Sequence, residues 1–550
     1  MAGSSASAAP APSETSPLLH GPSPEASEAG GSIGTVENGR RDGADGKRDG
    51  NPEMAKKMHV LLPAIGIGVY LCAVDQLLTV ATYAKIGSEL HALNNTSWLA
   101  TAYFITLTSC QPLYGKLSDI FGRKECLLFA YTIFAIGSLG CGLAQSFAQL
   151  CVARAVAGVG GGGMNSVVTI LLSDIVPLRD RGVWQGYINI IFAAGTSTGA
   201  PLGGLLADSV GWRWSFTGQV PLCVAAFLAV YFVLDLPKAD HEHWRDKFRR
   251  IDFLGAANLV AAVIALLVGL DSGSNNGWSN PVTVGGLAAT PVLLAIFILV
   301  EMRVASHPFA PGHIIFDRSL FAGYLTNFFG VAAHLASIFF FPLFFQAVQG
   351  ASATQAGAYL VPAMIASVCA SLSAGVYMRR TGRYYVLTIV AYGLMLAAVV
   401  PTAAALYLRS TAGLVASMAL LALGGGAGIT TTLVALLSNA AVQDTAVVVA
   451  CSYLFRSLGS SIGISVCSAV LQQVLRTQLA ARLSDGEEAR RVEERVRESL
   501  DYIGELPAEV AGQVRASYQV AALGAMVPMT AFLVLALGAT FFIREKTLGK

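Results

Sequence analysis

Gly115-Lys116-Leu117-Ser118-Asp119-Ile120-Phe121-Gly122-Arg123 returns later in the chain as Gly375-Val376-Tyr377-Met378-Arg379-Arg380-Thr381-Gly382-Arg383. The glycine-to-glycine and glycine-to-arginine separations are identical. Each stretch sits between two long apolar runs. A basic, glycine-punctuated loop repeated in that setting predicts a chain built from two parallel copies of one helical unit.

Working outward from these loops, the hydropathy pattern gives fourteen apolar runs: Val60–Ala84, Trp98–Leu117, Leu127–Ala144, Phe147–Leu172, Val183–Leu206, Phe216–Leu234, Phe253–Leu270, Val282–Val300, Leu320–Val348, Ala356–Met378, Tyr384–Leu406, Thr411–Leu437, Thr445–Leu475 and Val520–Ile543. Most approach the roughly 20 residues needed to cross a bilayer as a helix. Helices are required, because hydrocarbon leaves no partner for an open backbone and the runs exceed barrel strands. The fold class predicted is an all-α membrane protein with 14 transmembrane helices in two six-helix repeats and a two-helix insert. The expected organisation is a cytosolic tail at 1–57, a six-helix bundle at 58–236 and a linker with the two inserted helices at 237–304. A second bundle follows at 305–543, with a long non-cytosolic loop at 476–517, and a cytosolic tail ends the chain at 544–550.

Composition agrees. Of 550 residues, 54% are hydrophobic and only 13% charged, with mean hydropathy +0.59. Soluble domains carry about 25% charged residues. A net charge of +2 favours no nucleic-acid partner. The nine cysteines form no CxxC pair, which argues against a disulfide framework or a metal site. The glycine runs at 158–163, 195–204 and 424–428 lie inside apolar spans, where small residues permit close helix packing rather than phosphate binding. No nucleophile or acid–base cluster points to an enzyme.

Charge sets the expected orientation. With the N-terminus in the cytosol, the loops and tail on that side hold eighteen Lys or Arg residues: Lys116, Arg123, Lys124, Arg179, Arg181, five across 238–250, Arg303, Arg318, Arg379, Arg380, Arg383, Arg544, Lys546 and Lys550. The short loops opposite hold three, Lys85, Arg213 and Arg409.

The candidate functional residues are charges where charges are costly. Asp75 in span one and Arg154 in span four are expected to face a cavity between the repeats and to pair. A cavity carboxylate is a natural proton carrier, since burial favours its neutral form and a cationic substrate its charged form. Arg456 in span thirteen is a candidate for a substrate carboxylate, and His334 in span nine for a proton relay. Asp119 ends span two where span thirteen begins, so Asp119 and Arg123, with Gly115, Gly122 and Lys124, are expected to latch one conformation through the positive end of that helix. Arg379 replaces Asp119 in the second copy, which is therefore expected not to latch in the same way.

These stretches carry a resemblance. Gly115 to Lys124, the run Leu150-Cys-Val-Ala-Arg154-Ala-Val-Ala-Gly158-Val-Gly160, and the span-five glycines Gly186, Gly195, Gly199, Gly203 and Gly204 resemble the loop, intramembrane-arginine and antiporter motifs of the major facilitator superfamily, in its fourteen-span branch that includes drug:proton antiporters. Pro201 stands one place later than the antiporter motif's proline. Val74-Asp75-Gln76-Leu77-Leu78-Thr79-Val80-Ala81 and the tail sequence Glu14-Thr-Ser-Pro-Leu18-Leu19 are similar to the fungal vacuolar amino-acid permeases.

The resemblance implies proton-coupled antiport of basic amino acids into the vacuole, with no cofactor beyond the proton gradient. Asp75 would meet the substrate's positive end or the proton, and Arg154 or Arg456 its carboxylate. The acidic dileucine signal Glu14, Leu18 and Leu19 implies a sorting adaptor as partner. A plasma-membrane drug or siderophore exporter and a transporter-like nutrient sensor are the rival readings. Asn94 and Asn95 each open an Asn-x-Ser/Thr sequon on the non-cytosolic side.

Overall fold

The computed structural model describes residues 58–90, 97–235, 252–303, 312–351, 353–483, 495–496 and 502–548. The sorting signal at Glu14, Leu18 and Leu19, both sequons and the basic residues of 238–250 lie outside the described residues.

The described residues form fourteen long helices. They are α1 Met58–Glu89, α2 Ser97–Phe121, α3 Arg123–Leu143, α4 Phe147–Ile175, α5 Arg181–Ser209, α6 Trp212–Val233, α7 Phe253–Asn276, α8 Pro281–Arg303, α9 Arg318–Gln349, α10 Ala353–Thr381, α11 Tyr385–Tyr407, α12 Thr411–Asn439, α13 Thr445–Arg482 and α14 Ala508–Thr540. Side-chain caps open several. Ser146 accepts from the Gln149 amide before α4, Asp317 from the Ser319 and Leu320 amides before α9, and Ser410 from the Gly413 amide before α12. Gly350, at φ 69°, closes α9.

Among the described residues twelve helices are long and apolar enough to cross a membrane. The apolar part of α7 is short, Leu254–Leu270. The other helix outside the twelve, α2, owes its polarity to Thr108, Ser109, Gln111 and Ser118, all buried against neighbouring helices. A multi-pass integral membrane protein results.

The packing repeats with an offset of eight helices. In the first half α1 packs on α5 and α6, α4 on α2 and α3, and α3 on α6; in the second α9 packs on α13 and α14, α12 on α10 and α11, and α11 on α14. The inserted α7 pairs with α8 and lies against α2 and α13. The halves meet chiefly through α2 with α13 and α5 with α10, and more lightly through α4 with α13 and α5 with α12.

The described residues of the expected loop at 476–517 are mostly helical. α13 continues to Arg482 and α14 begins at Ala508. Leu471, Leu475 and Leu479 keep one buried face along the α13 extension, and Ala511, Val514 and Tyr518 do so on α14. That three- to four-residue spacing lets both helices run on beyond their apolar spans.

Candidate functional site

The repeated loops position the seam between the halves. Gly115 of α2 lies against α13, where a Cβ would stand 2.6 Å from the Ala450 Cβ. Its counterpart Gly375 of α10 lies against α5, where a Cβ would stand 2.5 Å from the Gly182 carbonyl carbon. No side chain fits at either place unless the halves part. The second glycines, Gly122 at φ 106° and Gly382 at φ 69°, turn the chain in the left-handed region.

Both seams close at one end of the bundle, the end that carries these basic loops. Arg379 makes an ion pair with Asp180 at 2.8 Å. Arg179 donates to the carbonyls of Arg379 and Arg380. Deeper in, Asn189 donates to Ser371 at 2.8 Å, Thr169 and Tyr453 share a 2.7 Å hydrogen bond, and Ser457 donates to Gln111 at 2.9 Å. Ser197 and the Met364 sulfur, 3.6 Å apart, mark the middle of the α5–α10 seam.

Beyond that point the seam opens. The α10-facing row of α5, which includes Gly182, Gly186, Asn189 and Ser197, continues to Pro201, which is exposed, and Gly204, where a Cβ would meet nothing within 4 Å. The facing row of α10 continues to Val361, which is exposed, and Gly357, where a Cβ likewise meets nothing. The α5–α10 seam is thus sealed at the basic end and open past Ser197 and Met364.

Asp75 and Arg154 meet, as the sequence leads one to expect, but not in the cavity. The Arg154 Nη1 donates to Asp75 Oδ2 at 2.6 Å, and Gln219 of α6 donates to Asp75 Oδ1 at 3.1 Å. Arg154 Nε donates to the Leu99 carbonyl at 3.2 Å, and the guanidinium lies over the Tyr103 ring at 4.4 Å and the Phe216 ring at 5.6 Å. Asp75 is 0% and Arg154 1% exposed. The α5-facing row of α1 is Tyr70, Val74 and Leu78; Asp75, one residue round, turns toward α4 and α6 instead. Both carboxylate oxygens and two of the three guanidinium nitrogens are hydrogen-bonded, and the guanidinium lies between aromatic rings, which lowers the cost of charge in a low-dielectric interior.

Arg456 and His334 are differently placed. Arg456 is partly exposed, stacks over the Tyr453 ring at 5.0 Å and has no ion-pair partner among the described residues. His334 is 9% exposed and its Nδ1 is buried without a hydrogen-bond partner. Its ring lies against Gly425 of α12, where a Cβ would stand 2.8 Å from Nδ1.

The latch residues come together within the first half. Asp119 pairs with Arg123 at 2.7 Å, and Arg123 also pairs with Asp174 at the end of α4 at 2.8 Å. Lys124 donates to the Tyr231 carbonyl at 2.8 Å. The cross-half ion pair at this end belongs to the second copy, through Arg379. Gly195, Gly199 and Gly203 form one face of α5 against α1, with Cβ positions 2.7 to 3.0 Å from the Tyr70, Val74 and Leu78 carbonyls. Asp180, Arg179, Asp174, Thr169, Tyr453 and Asn165 were not evident from the sequence. Only the mixed charges at 179–181 signalled any of them.

The profile of the Major Facilitator Superfamily matches residues 65–464. A vacuolar membrane amino acid uptake transporter of Schizosaccharomyces pombe, fnx2, is 40% identical over 82% of this chain and 78% of its own length. The multidrug resistance protein fnx1 of the same organism is 37% identical over 85% of this chain and 89% of its own. Vacuolar basic amino acid transporter 2 of Saccharomyces cerevisiae is 31% identical over 77% and 92%. Among solved structures, the human organic anion transporter MFSD10 superposes with a TM-score of 0.57 at 15% identity, covering 88% of this chain and 98% of that one.

Proposed function

The chain belongs to the major facilitator superfamily, and on that footing we propose that it carries amino acids, basic ones foremost, from the cytosol into the vacuole in exchange for protons. The observation that carries this reading is the seam between two repeated halves, closed at one end and open at the other, in a chain 40% identical to a vacuolar amino acid uptake transporter. Family and fold point to a transporter, not an enzyme.

The basic loops belong in the cytosol by the charge rule, which puts both termini there and reads all fourteen helices as spans. The sealed end is then cytosolic and the open end luminal. Rocking of the halves about the midplane exchanges the two openings. The gradient that drives it needs no bound cofactor. Asp75 is the coupling group. A proton on its carboxyl removes the anion that Arg154 faces, and the guanidinium must then find another partner. Protonation is thereby tied to a rearrangement of α1, α4 and α6, without the proton and substrate touching. The dileucine signal at Leu18 and Leu19 directs the chain to the vacuole through a sorting adaptor.

Labelled lysine, histidine and arginine offered to energised vacuolar vesicles test this. Uptake is expected, and a protonophore is expected to abolish it. Uptake unchanged by the protonophore refutes proton exchange. The 37% identity to a multidrug resistance protein favours a second reading, export of drugs across the plasma membrane. A fluorescently tagged chain at the plasma membrane, with cationic drugs moved and amino acids ignored, would establish that instead.

A further inference from the structure

Among the described residues three charged side chains lie deep inside the apolar spans: Asp75, Arg154 and Arg456. The first two neutralise each other. Arg456 pairs with no carboxylate among the described residues. An unpaired charge inside a membrane costs several kcal/mol unless it is hydrated or finds a partner.

Its direction follows from α13 itself. At 100° per residue, Ser452, Gly459 and Gly463 point toward α9, where Ser452 accepts from Asn327 and the two glycines lie against the Phe328 and Ala332 carbonyls. Tyr453 and Ser457 point toward the first half, at Thr169 and Gln111. Leu454 and Leu458 pack with the α7 cluster on the opposite side. Arg456 falls between the first two sectors and away from α7, and its side chain is partly exposed, so it faces the opening between the halves. It lies one turn beyond the Thr169–Tyr453 bond that forms the cavity floor. Asn165, one turn beyond Thr169 on α4, is at the same level across the gap. His334 of α9 turns its buried Nδ1 to Gly425 of α12, which leaves Nε2 as the ring nitrogen for a ligand.

We propose that Arg456, assisted by His334, is the anchor for the substrate's carboxylate, so that a free carboxylate is a condition of transport. This rests on the amino-acid reading above and adds to it what the site demands of its solute. A planar guanidinium matches a carboxylate with two parallel hydrogen bonds. The same charge repels a solute that is only cationic, which is how one residue both selects and excludes. Asp75 is already satisfied, so the substrate's amino groups meet no fixed anion there. A basic amino acid is therefore recognised first by its acid end, while the corresponding diamine or amino-acid amide is turned away.

The test is uptake of labelled lysine, lysine amide and cadaverine by energised vesicles carrying the wild-type chain, Arg456→Lys or Arg456→Gln. The wild type is expected to favour lysine over both analogues by about 10- to 100-fold, the value of a hydrogen-bonded charge pair. Arg456→Gln is expected to lose that preference through a fall in lysine uptake, with Arg456→Lys between the two. Cadaverine carried as well as lysine by the wild type, or the preference intact in Arg456→Gln, overturns the assignment. Should the variants fail to reach the membrane, purified wild-type protein decides: lysine raises its unfolding temperature and cadaverine does not, and equal protection by both overturns the assignment. A wild type that takes up no amino acid rejects the transport reading, and this assignment with it.

Discussion

At the scale of residues, the Asp75–Arg154 pair is sealed and mutually neutralised, whereas Arg456 is partly exposed and has no ion-pair partner among the described residues. Removing one member of a buried pair strands the other, so Arg154→Leu is expected to cost roughly 3–5 kcal/mol of stability. Thermal unfolding in detergent measures this. The double variant Asp75→Leu/Arg154→Met is expected to recover most of that loss, since well-packed apolar residues commonly replace such pairs without penalty. It is nonetheless expected to lose proton coupling. Proton-driven uptake surviving in the double variant would leave the pair a structural strut. That a charge sits in each of these spans was legible in the sequence. Which way it points was not, because Asp75 and Val74 are adjacent in the chain and face different helices.

At the scale of elements, the two seams are built from the first glycine of each repeated loop. Gly375→Val places methyl groups where only 2.5 Å separates a Cβ position from the Gly182 backbone. The seam must part at the basic end, and the expected result is a shift toward opening there. Gln185→Cys, buried beneath the seal, reports it in a background lacking the exposed Cys369. A hydrophilic thiol reagent applied from the basic end should label it faster in Gly375→Val, and unchanged protection contradicts the account. Charge reversal at Arg379→Asp should act in the same direction but weakly, by about 1 kcal/mol or less, because the pair is half exposed. The swap Asp180→Arg/Arg379→Asp should restore protection. The repeat was readable because glycine spacing is a backbone requirement and survives changes around it. The partners were not. Asp119 turns to Arg123 beside it rather than to α13, and Arg379, which departs from the first copy, makes the cross-half pair.

At the scale of the whole molecule, the helix count, the repeat and the basic side followed from hydropathy and charge, which are one-dimensional properties. The state of the cavity is a relation between halves, and no stretch of sequence encodes it alone. The open end also holds its own ion pair, Glu89 with Arg213. The bonds from Arg213 and Trp212 hold the Glu89 carboxyl below the usual glutamate range. A depressed carboxyl contributes stability above its unfolded-state value and loses it as pH falls through the folded-state value. The destabilisation caused by Glu89→Gln is therefore expected to persist from neutral to mildly acidic pH and to shrink only in stronger acid, as followed by unfolding temperature across a pH series. The central claim is that two halves, closed here at the basic end, exchange an amino acid for a proton. The most direct measurement is the luminal pH of acidified, sealed vesicles carrying this chain when lysine is added outside. The account predicts that lysine enters and the lumen becomes less acidic in step with it, with both effects absent in Asp75→Asn; lysine entering while the luminal pH stays unchanged would contradict it.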